Sequence, residues 1–398
     1  MTSPADTADA ATGLSAIWRD ERLRGIAIQI GVILAFFACA FWLIGNVVAN
    51  FTSLNKSFGF SFLWELPAGY DINQTLIPYN NADTHLRAAV VGLINTGLVA
   101  AIGIVLATLF GFVLGVLRLS NNWLASRLAY WYIEFTRNVP ILLHILLWHG
   151  IIINTLPHPR QALALGDSAF LSNRGFYVPR PVFGDAFWVT VLAFAAAIAG
   201  VILLRRWAKQ RQAETGRQTP VGWISLAIIA GLPLAAFAVT GAPLSFEIPK
   251  FQGFNFQGGL YLLPELVALT FALSIYTSAF IAEIVRGGIS AVHKGQREAS
   301  ESLGLRPGKI MSLVILPQAL RVIVPPLTSQ YLNLTKNSSL AIAIGYMDLV
   351  ATLGGITLNQ TGREMESMIL VMLIYLILSL MIAAFMNWYN QRIKFVER

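Results

Sequence analysis

The chain is poor in the groups from which most catalytic sites are built. Among its 398 residues there is a single cysteine, Cys39, set inside an apolar run. An intrachain disulfide is therefore excluded, and neither a cysteine-based metal site nor redox chemistry is indicated. Of the five histidines, His144 and His149 stand five apart, which turns them to different faces of a helix, and no acidic ligand lies near them in the sequence. They read as core or interfacial residues. The Gly-x-x-x-x-Gly-Lys-Ser/Thr phosphate loop is missing as well: its nearest approach, Gly304-Leu-Arg-Pro-Gly308-Lys309, is too short and lacks the hydroxyl. Charged residues make up only 12% of the chain.

What the chain has in abundance is apolar surface. At 56% hydrophobic residues, it holds more than one soluble core can hide, so most of it must face lipid. A span needs about 20 mostly apolar residues, and eight runs qualify: Ile26 to Val48, Ala88 to Leu117, Ile133 to Leu156, Ala186 to Leu204, Val221 to Val239, Leu262 to Ile284, Pro326 to Tyr346 and Met368 to Trp388. Eight spans leave both termini on one side. Basic residues such as Arg22, Arg24, Arg118, Arg127, Arg205, Lys209, Arg286, Arg297, Lys309 and Arg392 fall in alternate loops and the two tails, which marks that side as cytoplasmic. The net charge of +8 is thus a matter of topology. No basic stripe with interleaved aromatics argues for nucleic acid. Ala38-Cys39-Ala40 resembles a signal-peptidase site, but the apolar run continues to Val48, so a retained anchor is expected.

Along the chain, residues 1–25 read as a polar cytoplasmic tail, and 26–85 as a first span followed by a periplasmic loop with many aromatics. Residues 86–392 form a main membrane domain, interrupted by an inserted pair of spans over about 183–242. The basic connector Arg205 to Pro220 reads as a short hairpin loop. The flanking segments Pro157 to Asp185 and Thr240 to Tyr261, rich in Pro, Gly and aromatics, read as periplasmic connections. No convincing inverted repeat is present; the nearest echo is Glu134-Phe-Thr-Arg137 against Glu283-Ile-Val-Arg286. Each of these E-x-x-R strings places a carboxylate and a guanidinium on one helical face, where they can pair.

The longest cytoplasmic loop, 291–326, is expected to form two short helices. Gln296 to Leu303 is a good helix former, Gly304 suits a C-terminal cap, and Pro307 suits the first turn of the next helix. Such an amphipathic hairpin can seat in a soluble partner. Its pattern, Glu298-Ala299-Ser300, then Gly304, then Val314-Ile315-Leu316-Pro317, resembles the EAA loop of the permease subunits of bacterial ABC importers. Ser300 replaces the second alanine, and Val314 an isoleucine. Ala282-Glu-Ile-Val-Arg-Gly-Gly-Ile289, Leu316-Pro-Gln-Ala-Leu-Arg321, Lys336-Asn-Ser-Ser-Leu340 and Arg137-Asn-Val-Pro140 resemble the polar amino-acid subfamily, which includes histidine and glutamine permeases. The added first helix and periplasmic loop are similar to the longer general L-amino-acid permeases.

The resemblance implies an all-α integral membrane protein with a five-span type I importer core (the second, third, sixth, seventh and eighth spans), resident in the bacterial inner membrane. It implies that Glu298, Ala299, Ser300, Gly304, Leu316 and Pro317 couple the chain to an ATPase. It also implies two ATP-binding subunits that carry ATP and Mg, a second permease subunit forming a heterodimer, and a periplasmic amino-acid-binding protein. The chain itself would be no enzyme and would hold no cofactor. For the substrate path, polar residues inside spans are the candidates: Asn95 and Thr96 in the second span, Glu134 and Arg137 in the third, and Lys336, Asn337, Ser338 and Ser339 in the seventh. The last group lies about ten residues, roughly 15 Å, beyond Pro325-Pro326. Lys336 either meets a substrate carboxylate or is a structural lysine, paired with Glu134 or facing the second permease. An ATP-independent transporter or channel is the alternative reading.

Overall fold

The computed structural model describes residues 21–54 and 58–393; most of the tail expected over 1–25 lies outside them. The chain divides into two units, the first ending at Phe62 and the second beginning at Leu63. The first holds one long helix, α1 (Glu21–Ser53), on which no side chain is buried. A helix apolar all round, with Phe36, Phe41 and Trp42 exposed, is suited to lipid and not to water. Cys39 is exposed on it.

In the second unit, α2 (His85–Arg118) and α7 (Pro264–Ser290) form the centre. Small residues recur every fourth position along α2, at Gly103, Ala107, Gly111 and Gly115, and all are buried. This spacing lets two backbones approach closely in a membrane, where packing replaces the hydrophobic drive. A methyl group at Gly111 would lie 2.5 Å from Ile281, and one at Gly115 would lie 2.7 Å from the Ala282 carbonyl oxygen. Around this pair sit α3 (Trp123–Asn138), α4 (Ile141–Thr155), α9 (Leu316–Asn337) and α10 (Glu364–Ile393), with the core of Val99, Ile145, Leu269, Leu273, Ile281, Ile323 and Leu334 between them.

The third span, expected as a single helix from Ile133 to Leu156, is two helices bent by 107°. Pro140 explains the break, because its ring pushes the preceding residue out of the helical region, and Val139 is extended at φ −101° and ψ 130°. The inserted pair is α5 (Phe187–Thr215) and α6 (Val221–Val239). The basic stretch from Arg205 is not a loop. It continues α5 to Thr215, being made mostly of strong helix formers, and the helix ends on Gly216 at φ +69°. The seventh span keeps Pro325 and Pro326 inside α9 and ends in a 3₁₀ segment, Ser338–Ile344, closed by Gly345.

The aromatic-rich connections on either side of the inserted pair fold together into strands, an element that their Pro and Gly content concealed. β1 (Leu163–Leu165), β2 (Ala169–Ser172) and β3 (Gly175–Val178) form an antiparallel sheet with β8 (Leu260–Leu262). β4 (Arg180–Phe183) pairs with β5 (Leu244–Glu247), and β6 (Lys250–Gln252) pairs with β7 (Asn255–Gln257). Tyr177 joins the two connections: its ring lies 4.8 Å from that of Phe256 and 4.9 Å from that of Tyr261, and its hydroxyl donates to Asn255.

Candidate functional site: a projecting hairpin and a polar latch

The expected loop over 291–326 is one short helix followed by the start of a long one. α8 (Lys294–Ser302) opens on His293, whose Nδ1 accepts from the Gly295 amide at 3.1 Å. It stops where Gly304 takes φ +70°. The Gly304 amide donates to the Glu301 carbonyl at 2.9 Å and the Leu305 amide donates to that of Ser300 at 3.3 Å, so the last carbonyls of α8 are satisfied by a left-handed cap. Pro307 then begins a helical turn, Pro307–Ile310. This runs through a π segment, Met311–Ile315, directly into α9. The second short helix of the sequence reading is therefore the foot of the seventh span, because nothing between Ile310 and Leu316 breaks helical backbone.

The six coupling candidates divide between two faces. Glu298, Ala299 and Gly304 are exposed, as is Leu303, at 79%. Ser300 faces inward, 5% exposed, with its hydroxyl donating to the Gln296 carbonyl at 2.6 Å. Its small size thus serves packing within the chain, whereas the sequence reading put it against a partner. Leu316 and Pro317 are half-buried at the foot of α9, where the Gln318 amide reaches Gln296 Oε1 at 3.4 Å. The hairpin is a braced peg whose exposed surface carries the Glu298 carboxylate, the Ala299 methyl group, the Arg297–Glu301 pair and the apolar tip of Leu303.

Of the two E-x-x-R strings, only one forms the pair that its spacing allows. Arg286 Nε donates to both carboxylate oxygens of Glu283, at 2.9 and 3.0 Å. Glu134 instead accepts from Asn138, and Arg137 lies over the Phe280 ring, 5.4 Å from its centroid.

Asn95 and Thr96 are fully buried and hold a distant part of the chain. Asn95 donates to the carbonyls of Gln74 and Met347, both at 2.9 Å, and Thr96 Oγ1 accepts from the Leu349 amide at 3.1 Å. Between these anchors lies Asp348, also fully buried. It accepts from the Ala351 amide at 2.8 Å and from the Tyr375 hydroxyl at 3.3 Å, and so caps the π segment Val350–Thr357. Gly92 makes the close approach possible, since a methyl group there would sit 2.2 Å from Thr352 Oγ1. In the segment before α2, the Tyr79 hydroxyl donates to the Tyr70 carbonyl at 2.8 Å. Burial first, then the fields of Tyr70, Asp83 and Asp71, push the Tyr79 phenol up to about 12, so it stays a donor at neutral pH.

Asp348, Tyr375 and Gln74 escape sequence reasoning, although a lone acid within the apolar stretch after Ser339 was a usable signal. Lys336 is exposed, Asn337 and Ser339 are half-buried, and Ser338 is buried and donates to the Thr335 carbonyl. Among the described residues no ion pair joins Lys336 to Glu134, and no three His, Cys, Asp or Glu side chains gather as a metal site.

Comparison with known proteins follows the same lines. The profile of the binding-protein-dependent transport system inner membrane components matches residues 103–395. The chain is 50% identical over 376 residues to the putative amino-acid ABC transporter permease protein YhdX of Escherichia coli, covering 94% of this chain and 95% of that one. It is 48% identical over 429 residues to the glutamate/glutamine/aspartate/asparagine transport system permease protein BztB of Rhodobacter capsulatus, covering 100% of both. To the general L-amino acid transport system permease protein AapQ of Rhizobium johnstonii it is 46% identical over 379 residues, 95% of this chain and 94% of that one.

Proposed function

Because the chain belongs to the inner-membrane components of binding-protein-dependent transport systems, we propose that it is the permease subunit of an ATP-driven importer that passes L-amino acids, polar or of general specificity, across the bacterial inner membrane. The observation that carries the reading is the hairpin, with α8 capped at Gly304, its Glu298, Ala299 and Leu303 exposed, and its Gln296 bonded to Gln318 at the foot of α9. A force applied to Glu298, Ala299 and Leu303 crosses the Gly304 turn and enters a membrane-spanning helix, since Pro307 to Asn337 is continuous helical backbone. ATP and Mg belong to two soluble subunits that take this peg. A periplasmic binding protein supplies substrate, and the second permease is a different chain, making a heterodimer.

For the path itself, Glu134, Arg137, Lys336, Asn337 and Ser339 are the residues with free faces, and Lys336 and Arg137 offer positive charge to a substrate carboxylate. Asn95, Thr96 and Ser338 shape the path by holding the backbone around it. Co-purification tests the reading: detergent extraction of this chain should bring down a nucleotide-binding subunit in stoichiometric amount, together with one unlike permease. The names of the relatives favour this over an ATP-independent transporter, which would purify without such a subunit.

A further inference from the structure

From the charge and shape of the turn between α2 and α3 we infer a binding site for the phosphate headgroup of an anionic phospholipid. A pocket of about 390 Å³ opens there, lined by Arg118, Ser120, Asn121, Trp123, Ser126 and Arg127. Both arginines lie on one aromatic ring, with the Arg118 and Arg127 guanidinium carbons 4.7 and 5.9 Å from the Tyr130 centroid. Two positive charges are thereby held side by side, and no carboxylate lines the pocket. Glu283, the acid within electrostatic reach of Arg118, is engaged through both oxygens by Arg286.

The guanidiniums retain donors for a ligand. Arg118 reaches Ser126 Oγ at 3.4 Å, and Ser126 Oγ in turn donates to the Arg118 carbonyl at 2.9 Å, which fixes the start of α3 beneath the end of α2. Asn122 caps the Ala125 amide. The amides of Trp123 and Leu124, at the first turn of this 16-residue helix, have no acceptor within the helix and point toward the same end. Paired arginines with free amides at a helix start offer positive charge and donors to the anionic, acceptor-only oxygens of a phosphate diester.

The apolar surroundings select lipid over a soluble anion. Trp123, Leu124, Leu128 and Trp131 are 72%, 58%, 62% and 64% exposed, and they run along α3 away from the pocket at spacings that form one face. A headgroup in the pocket therefore has its acyl chains laid along that face, with Trp123 at headgroup level. On the cytoplasmic side, the anionic leaflet adds attraction of about 1 kcal/mol per arginine. The inference is independent of which substrate the permease carries.

The test is lipid retention by the full chain in its complex, released from nanodiscs of phosphatidylcholine, or of phosphatidylcholine with phosphatidylglycerol, into native mass spectrometry. The wild type should retain phosphatidylglycerol in preference, with one more per chain than Arg118→Gln/Arg127→Gln. Arg127→Gln alone, at an exposed position, should weaken retention about fivefold. Added inorganic phosphate should leave it unchanged. Equal retention by Arg127→Gln and wild type overturns the site even if the double variant misfolds. Displacement by inorganic phosphate would equally assign the pocket to another occupant.

Discussion

Gly304 shows how one backbone angle carries a functional claim. Its φ of +70° is a conformation that costs a residue with a Cβ about 1–2 kcal/mol, and a Cβ there would meet nothing within 4 Å. Gly304→Val is therefore opposed by the backbone alone. It should leave insertion and membrane level unchanged while redirecting α8, so that ATP hydrolysis persists and uptake is lost. Glu298→Lys, on the exposed face, should weaken subunit association by about 1 kcal/mol, roughly fivefold. Uptake assays and quantitative co-purification at matched membrane levels check both, and wild-type uptake with both variants would remove the hairpin from the coupling mechanism. Gly304 was legible in the sequence because a cap is a local event, written in the few residues around it. Asn95 and Thr96 were legible only as polar residues in an apolar run. Their partners Met347 and Leu349 lie about 250 positions away, and no local pattern signals that. Ser300 was misplaced for a related reason, since its spacing does not say which face of a nine-residue helix the rest of the chain covers.

At the level of elements, the long apolar runs were legible because bilayer thickness sets their length. What was missed depends on backbone chemistry inside them or on pairing across them. Pro140 was in view, but an apolar run read as one span hides the break that a proline imposes. The strands joining residues 163–183 to 244–262 could not be seen in either segment alone, because β3 finds β8 across the whole inserted pair. The packing of α2 on α7 supplies a sharper test than either. Gly115→Val places carbon where the Ala282 carbonyl and the Val285 side chain already lie, at 2.7 Å. Backbone oxygen cannot rotate aside, so overpacking of this kind costs about 1–3 kcal/mol. Gly97→Val, on the same helix with nothing within 4 Å of its Cβ, is the matched control. Thermal unfolding of the detergent-purified protein should show Gly115→Val clearly below wild type and Gly97→Val close to it. Equal stability of the two would mean that the α2–α7 contact tolerates separation.

For the whole molecule, orientation in the membrane ties the functional proposals together, since the hairpin can meet an ATPase only from the cytoplasm and the strands can meet a binding protein only from the periplasm. The distribution of Arg and Lys supports placing α8 and the end of α5 on one side. The connectivity agrees, because α5 and α7 are separated by a single returning helix, α6, and by one stranded connection. Two exposed positions report on this independently: Gln212 near the end of α5 and Gln296 on α8. In a Cys39→Ser background, single cysteines at these sites should be silent to an impermeant thiol reagent in intact spheroplasts and should react once the membrane is opened. A cysteine at Asp167, in the turn between β1 and β2, should do the reverse and react in intact cells. Positive charge retained on the cytoplasmic side requires all three results together. Labelling of Gln296→Cys from outside would invert the whole arrangement, moving the hairpin away from any ATPase and the paired arginines of the α2–α3 turn into the outer leaflet.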